Sequence, residues 1–210
     1  MVKKIVILGG GTAGWISAAL TKKLMGEAVD IELVESEDIG TVGVGEATIP
    51  PIQLLNSVLG INEAEFLRET KATMKLAIKF ENWKQQDHSY YHSFGIAGKG
   101  LAFCHFHHLL KKVGQLDNDN HLWRYDLNYL CAEAGKFAKI KTKDLLIDMP
   151  YAYHFDAGLY AKFLRKYSEK LGVVRTEGLV ETVDQCNESG FITTLNLKNG
   201  KKVSGDLFPV

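Results

Sequence analysis

The stretch that decides the fold is Ile5-Val6-Ile7-Leu8-Gly9-Gly10-Gly11-Thr12-Ala13-Gly14, close to the N-terminus. Its first four residues form an unbroken apolar run, which is typical of a parallel strand buried on both faces. The apolar spacing that follows predicts a helix over residues 15–25, and residues 30–34 predict a second strand. This part of the chain is therefore expected to form a β-α-β unit.

The glycines between the first strand and the helix have the spacing of a dinucleotide-binding fingerprint. Gly9 permits a tight turn, Gly11 lets the backbone approach a pyrophosphate, and Gly14 allows the helix to lie close to the strand. The phosphates would face the N-terminus of the helix. Glu35 ends the second strand, 21 residues after Gly14, and would accept a hydrogen bond from a ribose hydroxyl. The alternative is a glycine-rich turn that only packs the helix on the strand.

The layout of the rest of the chain favours FAD over NAD as the dinucleotide. Residues 40–50 form a glycine-punctuated loop where a nicotinamide dehydrogenase would continue with regular β-α units. A clear helix-strand pattern returns only after about residue 156, with a hairpin turn predicted at Asn199-Gly200. The prediction is an α/β fold with a Rossmann-like, doubly wound FAD/NAD(P)-binding domain from residues 1–70 and 156–210. Residues 71–155 are expected to be an inserted, mostly helical substrate-binding region.

Composition excludes several classes of protein. The 25 Lys and Arg residues balance 25 Asp and Glu residues, which argues against non-specific nucleic-acid binding. No apolar run approaches the roughly 18 residues of a membrane-spanning helix, and the N-terminal run is too short for a secretory signal. The three cysteines are odd in number and lack CxxC spacing, which favours a reducing compartment. A cytoplasmic protein with no membrane or nucleic-acid partner is predicted.

One cluster of potential metal ligands comprises Cys104, His105, His107 and His108. A closed metal site needs ligands that converge from more than one direction, and the sequence offers no second cluster. No metal site is therefore predicted, and packing within the substrate region is the favoured role.

Residues 75–83 alternate between apolar and polar side chains, which predicts a half-buried strand. Lys75 and Lys79 share its polar face, where a lysine is usually only solvated. His92 and Phe94 are two residues apart and would project from the same side of an extended chain. Such a pair can hold a planar ring by offset stacking, and the alternative is a pair of core aromatic residues.

The sequence resembles the flavin-dependent tryptophan halogenases in five stretches, at residues 9–15 (GGGTAGW), 42–50 (VGVGEATIP), 75–80 (KLAIKF), 91–95 (YHSFG) and 153–157 (YHFDA). The resemblance implies an enzyme in which reduced FAD, oxygen and halide give hypohalous acid, which then halogenates tryptophan or another indole. It also implies a separate flavin reductase as a partner. The oligomeric state stays open, with a homodimer as one option.

The resemblance also implies roles for individual residues. Lys75 matches the essential lysine of the family, and His92 and Phe94 match the pair that sandwiches the indole. The residues implied to contact FAD are Gly9, Gly11, Ala13 and Gly14 at the pyrophosphate, Glu46 and Ala47 in a strap formed by residues 41–49, and Val180 on the strand at the adenine side.

The resemblance departs from the family pattern at the end of the sequence. Residues 206–208 match the start of a strand that continues in the family, whereas Pro209 cannot donate to the ladder of a central strand. The resemblance therefore implies an N-terminal part of a halogenase, truncated before the tryptophan-rich motif, the catalytic glutamate and the halide site. Activity is expected only in a complete chain. The alternatives are a catalytically inactive FAD-binding fragment and, less favoured, another FAD-dependent monooxygenase.

Overall fold

The computed structural model describes residues 2–39, 45–115, 122–140 and 148–209. The chain divides into two compact units. The first unit comprises Met1–Glu46, Leu55–Ala72 and Phe155–Val210, and the second comprises Ala47–Leu54 and Thr73–His154.

The described elements alternate between helices and strands in the first unit and are shorter in the second. In chain order they are β1 (Lys4–Leu8), α1 (Thr12–Met25), β2 (Asp30–Glu35), β3 (Gly45–Ala47), α2 (Pro51–Leu59), α3 (Glu63–Thr70), β4 (Thr73–Lys75), β5 (Ala77–Glu81), β6 (Ser89–Ser93), α4 (Phe106–Lys112), α5 (Leu127–Glu133), β7 (Ala152–Asp156), α6 (Ala157–Lys170), β8 (Val174–Glu177), β9 (Val180–Gln185), β10 (Ile192–Leu197) and β11 (Lys202–Ser204). None of the helices in these ranges combines the length and apolar character needed to cross a bilayer.

The first unit is built on a parallel sheet with the strand order β1-β2-β8. β1 pairs with β2 through Ile5 and Ile31, and β2 pairs with β8 through Leu33 and Arg175. Leu207 adds a parallel bridge to Ile5 on the other edge of β1. The predicted β-α-β unit is confirmed, because β1 and β2 are parallel neighbours joined through α1.

The two faces of this sheet are covered differently. Val6 and Val34 lie in an apolar cluster with Leu195, Leu197 and Val203, which come from the antiparallel sheet β9-β10-β11. Leu33 points to the opposite face, toward Gly14 of α1, and α1 packs against α6. The hairpin predicted at Asn199-Gly200 is confirmed, since Gly200 adopts a φ of +84° between β10 and β11.

In the second unit, two antiparallel strand pairs accompany α4 and α5. β4 pairs with β7, and β5 pairs with β6. The prediction of one continuous strand over residues 75–83 is wrong, because the chain changes partner at Leu76 between β4 and β5. The carbonyl of Leu76 instead accepts hydrogen bonds from the Phe94 amide and the Asn128 side chain. The described part of residues 71–155 thus contains strands as well as helices.

Candidate functional site

Each glycine of the fingerprint has its own geometric reason. Gly9 adopts a φ of +120°, which side-chain-bearing residues rarely reach, and its amide donates to the Val34 carbonyl at 2.9 Å. A Cβ on Gly14 would lie 1.9 Å from the Gly9 carbonyl oxygen, so α1 approaches the turn closely. A Cβ on Gly11 would meet no atom within 4 Å. The backbone at Gly11 is therefore open to a ligand, as a pyrophosphate cradle requires.

Glu35 lies against this turn. Its Oε1 accepts a hydrogen bond from Nε of Arg175 at 2.5 Å. A Cβ on Gly10 would lie 1.4 Å from Glu35 Oε2, so this second oxygen faces the glycine turn. Gly10 is thus required as well, although it occupies a variable position of the fingerprint. The three consecutive glycines were the only sequence signal for it.

The other residues implied to contact a flavin have varied settings. Ala13 is exposed in the first turn of α1. In β3, Glu46 is half-buried and Ala47 is exposed. Val180 begins β9 and packs against the apolar cluster of the first unit. Residues 41–44 of the strap lie outside the described part of the chain.

Lys75 is a buried ammonium group at the end of β4. Its exposed fraction is 7%, and Nζ donates to the Thr48 carbonyl oxygen at 2.9 Å. Nζ also lies 5.5 Å from the centroid of the Phe94 ring. Within the described residues Lys75 forms no salt bridge, and burial lowers the pKa of its ammonium. The structure thus holds a cation whose partners are a carbonyl dipole and an aromatic face.

The acceptor of this ammonium is fixed by a double clamp. The Thr48 hydroxyl donates to the Tyr153 carbonyl at 3.0 Å and accepts from the Tyr153 amide at 3.1 Å. The Thr48 amide donates to the same carbonyl at 3.0 Å. Sequence reasoning missed Thr48 as a partner of Lys75, because the two are 27 residues apart. The only signal was its place in the GVGEATIP stretch.

Lys79 has a different setting, although strand alternation placed it on the same face as Lys75. Its side chain is 43% exposed, and Nζ pairs with Glu81 at 2.8 Å. The hydrogen bond from Lys79 to Glu81 raises the pKa of the lysine. Lys79 is therefore a surface cation with a carboxylate partner, while Lys75 is buried without one among the described residues.

His92 and Phe94 lie beside different neighbours. His92 is exposed on β6, opposite Ile78, and lines an open cavity of about 490 Å³. Phe94 is half-buried just after β6 and lies beside Lys75. The structure therefore brings Phe94 together with Lys75 and places His92 in the cavity. The other residues lining this cavity are mostly aromatic or small: Phe80, Tyr90, Tyr91, Ser93, Gly95, Ala97, Trp123 and Asp126.

The histidine cluster at the start of α4 stacks on itself. The rings of His107 and His108 have centroids 4.0 Å apart, and His105 stacks on His107 at 5.9 Å. In the part of the chain that is described, no three His, Cys, Asp or Glu side chains are grouped as a metal ion would need.

Comparison with known proteins gives the same family over both units. The sequence model of the tryptophan halogenase family matches residues 4–209. Tryptophan 7-halogenase RebH from Lentzea aerocolonigenes is 37% identical over 223 residues, which cover 99% of this chain and 42% of RebH. Tryptophan 6-halogenase SttH from Streptomyces toxytricini is 34% identical over 229 residues, which cover 98% of this chain and 43% of SttH.

A solved structure extends this similarity to the backbone. Xcc4156, a flavin-dependent halogenase from Xanthomonas campestris, superposes with a TM-score of 0.90 at 45% identity, over 99% of this chain and 41% of that one. The chain thus spans about two fifths of the length of these relatives. Because the match covers almost every residue at more than 30% identity, the resemblance seen in the sequence is confirmed, and the chain belongs to the tryptophan halogenase family.

Proposed function

We propose that this chain supplies the FAD cradle and the catalytic lysine of a flavin-dependent halogenase that acts on tryptophan or another indole. The observation that carries the proposal is the setting of Lys75, a buried ammonium held by one carbonyl and one aromatic ring. Halogenation itself is assigned to a chain of the relatives' full length, because these residues cover about two fifths of it.

The geometry of the glycine turn supports FAD as the cofactor. The open backbone at Gly11 fits a pyrophosphate, and the carboxylate of Glu35 fits a ribose hydroxyl. Reduced FAD, when bound, supplies the electrons that activate oxygen for the oxidation of halide, and a separate reductase would regenerate it. The proposed FAD-binding domain is residues 1–70 and 156–210. The proposed cofactor contacts are Gly9, Gly11, Ala13, Gly14, Glu35, Glu46, Ala47 and Val180.

Lys75 is proposed to act on hypohalous acid through Nζ. An ammonium can polarise the acid by a hydrogen bond, or the amine can form a haloamine. One N–H is committed to Thr48, which fixes the direction of the remaining two. The ammonium is thereby aimed before the oxidant arrives, which avoids the cost of ordering a flexible lysine during the reaction.

The substrate is proposed to bind in residues 71–155. His92 and Phe94 offer ring faces that can stack on an indole. The names of RebH and SttH specify tryptophan, whereas Xcc4156 is named only as a flavin-dependent halogenase. We therefore propose the indole class, with halide as co-substrate, in a cytoplasmic enzyme.

Equilibrium dialysis of the 210-residue chain against FAD tests the cofactor half of the proposal. Gly11→Val should abolish binding, because the larger side chain fills the space over the backbone that the pyrophosphate needs. Retention of FAD at wild-type occupancy by this variant would reduce the fingerprint to a structural turn. The lysine half is tested by the first prediction in the Discussion.

A further inference from the structure

We propose that Arg175 is a positioning residue for the adenosine ribose of the cofactor. Arg175 fixes the carboxylate of Glu35 so that one oxygen faces the glycine turn, ready to accept a ribose hydroxyl. The inference rests on the proposed nucleotide site and adds a residue to it. No motif in the sequence pointed to Arg175, which lies 140 residues from Glu35.

Arg175 is held in one geometry by carboxylates on two sides. It lies on β8 next to β2, and its side chain is 15% exposed. Nε donates to Glu35, and one terminal nitrogen donates to Glu37 at 3.0 Å and to Glu177. A planar guanidinium that bonds several carboxylates cannot rotate without breaking these bonds. Arg175 therefore provides a fixed donor for Glu35.

The two oxygens of Glu35 consequently have different surroundings. Oε1 accepts from Arg175 at 2.5 Å, whereas Oε2 lies over Gly10, where a Cβ would be 1.4 Å away. A ribose hydroxyl next to the fingerprint needs an acceptor on that side of the turn. The contact with Arg175 therefore commits one oxygen and leaves the other directed at the ligand.

Removing Arg175 would change the position of Glu35 for an electrostatic reason. Glu37 and Glu177 converge on the same guanidinium as Glu35, so its loss leaves three carboxylates that repel one another. Arg165 is a weaker substitute, since its nearest nitrogen is 3.6 Å from Glu35 and its Nε already binds Glu169. Glu35 would then turn away from the glycine turn.

The test compares ADP with 2′-deoxy-ADP as ligands of the 210-residue chain, by isothermal titration calorimetry. The quantity of interest is the ratio of the two dissociation constants. Wild type should bind ADP about tenfold or more tightly than the deoxy ligand, as expected for a hydrogen bond to a charged acceptor. Arg175→Met should bring the ratio close to one. A variant that is partly unfolded weakens both ligands equally, so the ratio reports positioning and not stability.

Lys4→Met is the matched control, because Lys4 pairs with a carboxylate of the same strand, Glu32, that does not face the glycine turn. It should retain the wild-type ratio. If wild type discriminates between the ligands and Arg175→Met discriminates equally, the inference is wrong while the nucleotide site stands. If wild type binds neither ligand, or binds both alike, the ribose role of Glu35 fails and the inference fails with it.

Discussion

The glycine turn between β1 and α1 and the lysine segment between β4 and β5 differ in what determines their geometry. In the turn, function depends on backbone shape, and glycine is the residue that permits that shape. In the lysine segment, function depends on which of two chemically identical side chains is buried. Local sequence specifies the first property, whereas the second is set by strands that pair from distant parts of the chain. The following predictions test this contrast.

The largest effect is expected at Lys75. In a chimaera in which this chain replaces the corresponding part of Xcc4156, Lys75→Ala should lower halogenation of tryptophan or indole by at least about a hundredfold. Oxidation of reduced flavin by oxygen should persist, because that step occurs at the cofactor. The measurement is product formation by mass spectrometry alongside oxygen uptake.

Lys79→Ala is the matched control in the same chimaera. The Lys79 side chain is paired with Glu81 at the surface, so most activity should remain. Activity that depends on Lys79 and not on Lys75 would contradict the assignment made from burial.

The second prediction separates two glycines of one turn. Gly14→Ala should destabilise the fold by about 1–3 kcal/mol, because its Cβ would collide with the Gly9 carbonyl. Gly11→Ala should leave the melting temperature nearly unchanged, because the space over it is open, yet it should weaken FAD binding. Calorimetric melting and FAD titration measure the two effects, and equal melting temperatures for both variants would refute this division of roles.

The third prediction concerns the clamp that holds the acceptor of Lys75. Thr48→Val removes the hydroxyl that both donates to and accepts from the Tyr153 backbone, which should cost about 1–2 kcal/mol. Thr48→Ser keeps the hydroxyl and should restore most of that loss. Urea unfolding of the two variants provides the comparison, and indistinguishable midpoints would mean that the clamp is dispensable.

The smallest effect is expected at Glu32, a buried charge that has charged and polar partners where Lys75 has none among the described residues. Burial alone would raise the pKa of Glu32, but hydrogen bonds from Lys4 and Thr176 outweigh it and hold the pKa below its ordinary value of 4.5. The carboxylate should therefore stabilise the fold above about pH 4.5, and this contribution is lost as the pH falls through the lowered pKa.

Glu32→Gln removes the titrating group. Between pH 7 and pH 4, wild type should lose about 1 kcal/mol more free energy of unfolding than the variant does. Urea unfolding at the two pH values measures the difference. Parallel losses in both proteins would show that Glu32 does not contribute to the acid sensitivity.

The β-α-β unit could be predicted from sequence because its signals are local. Gly9, Gly11 and Gly14 act through the backbone of a ten-residue stretch, and Asn199-Gly200 acts through the turn that it forms. The strand break at Leu76 could not be predicted, since alternation continues through it while the pairing partner changes from β7 to β6.

The parts of the site that escaped prediction depend on contacts between distant residues. Gly10 is required only because Glu35 lies over it, and Lys75 differs from Lys79 only because Thr48 and Phe94 lie beside it. Periodicity cannot report such contacts. The family resemblance favoured Lys75, and the structure adds the physical difference between the two lysines.

The interrupted course of the parallel sheet has a consequence for how the protein is made. β2 and β8 are neighbours, yet Glu32 and its partner Thr176 are separated by 144 residues. At ribosomal rates of about 5–20 residues per second, one edge of β2 waits on the order of ten seconds for its partner strand. During that interval the whole second unit is synthesised, so it can fold before the first unit closes its sheet. Exposed β2 is therefore the segment where we expect a chaperone to bind the nascent chain.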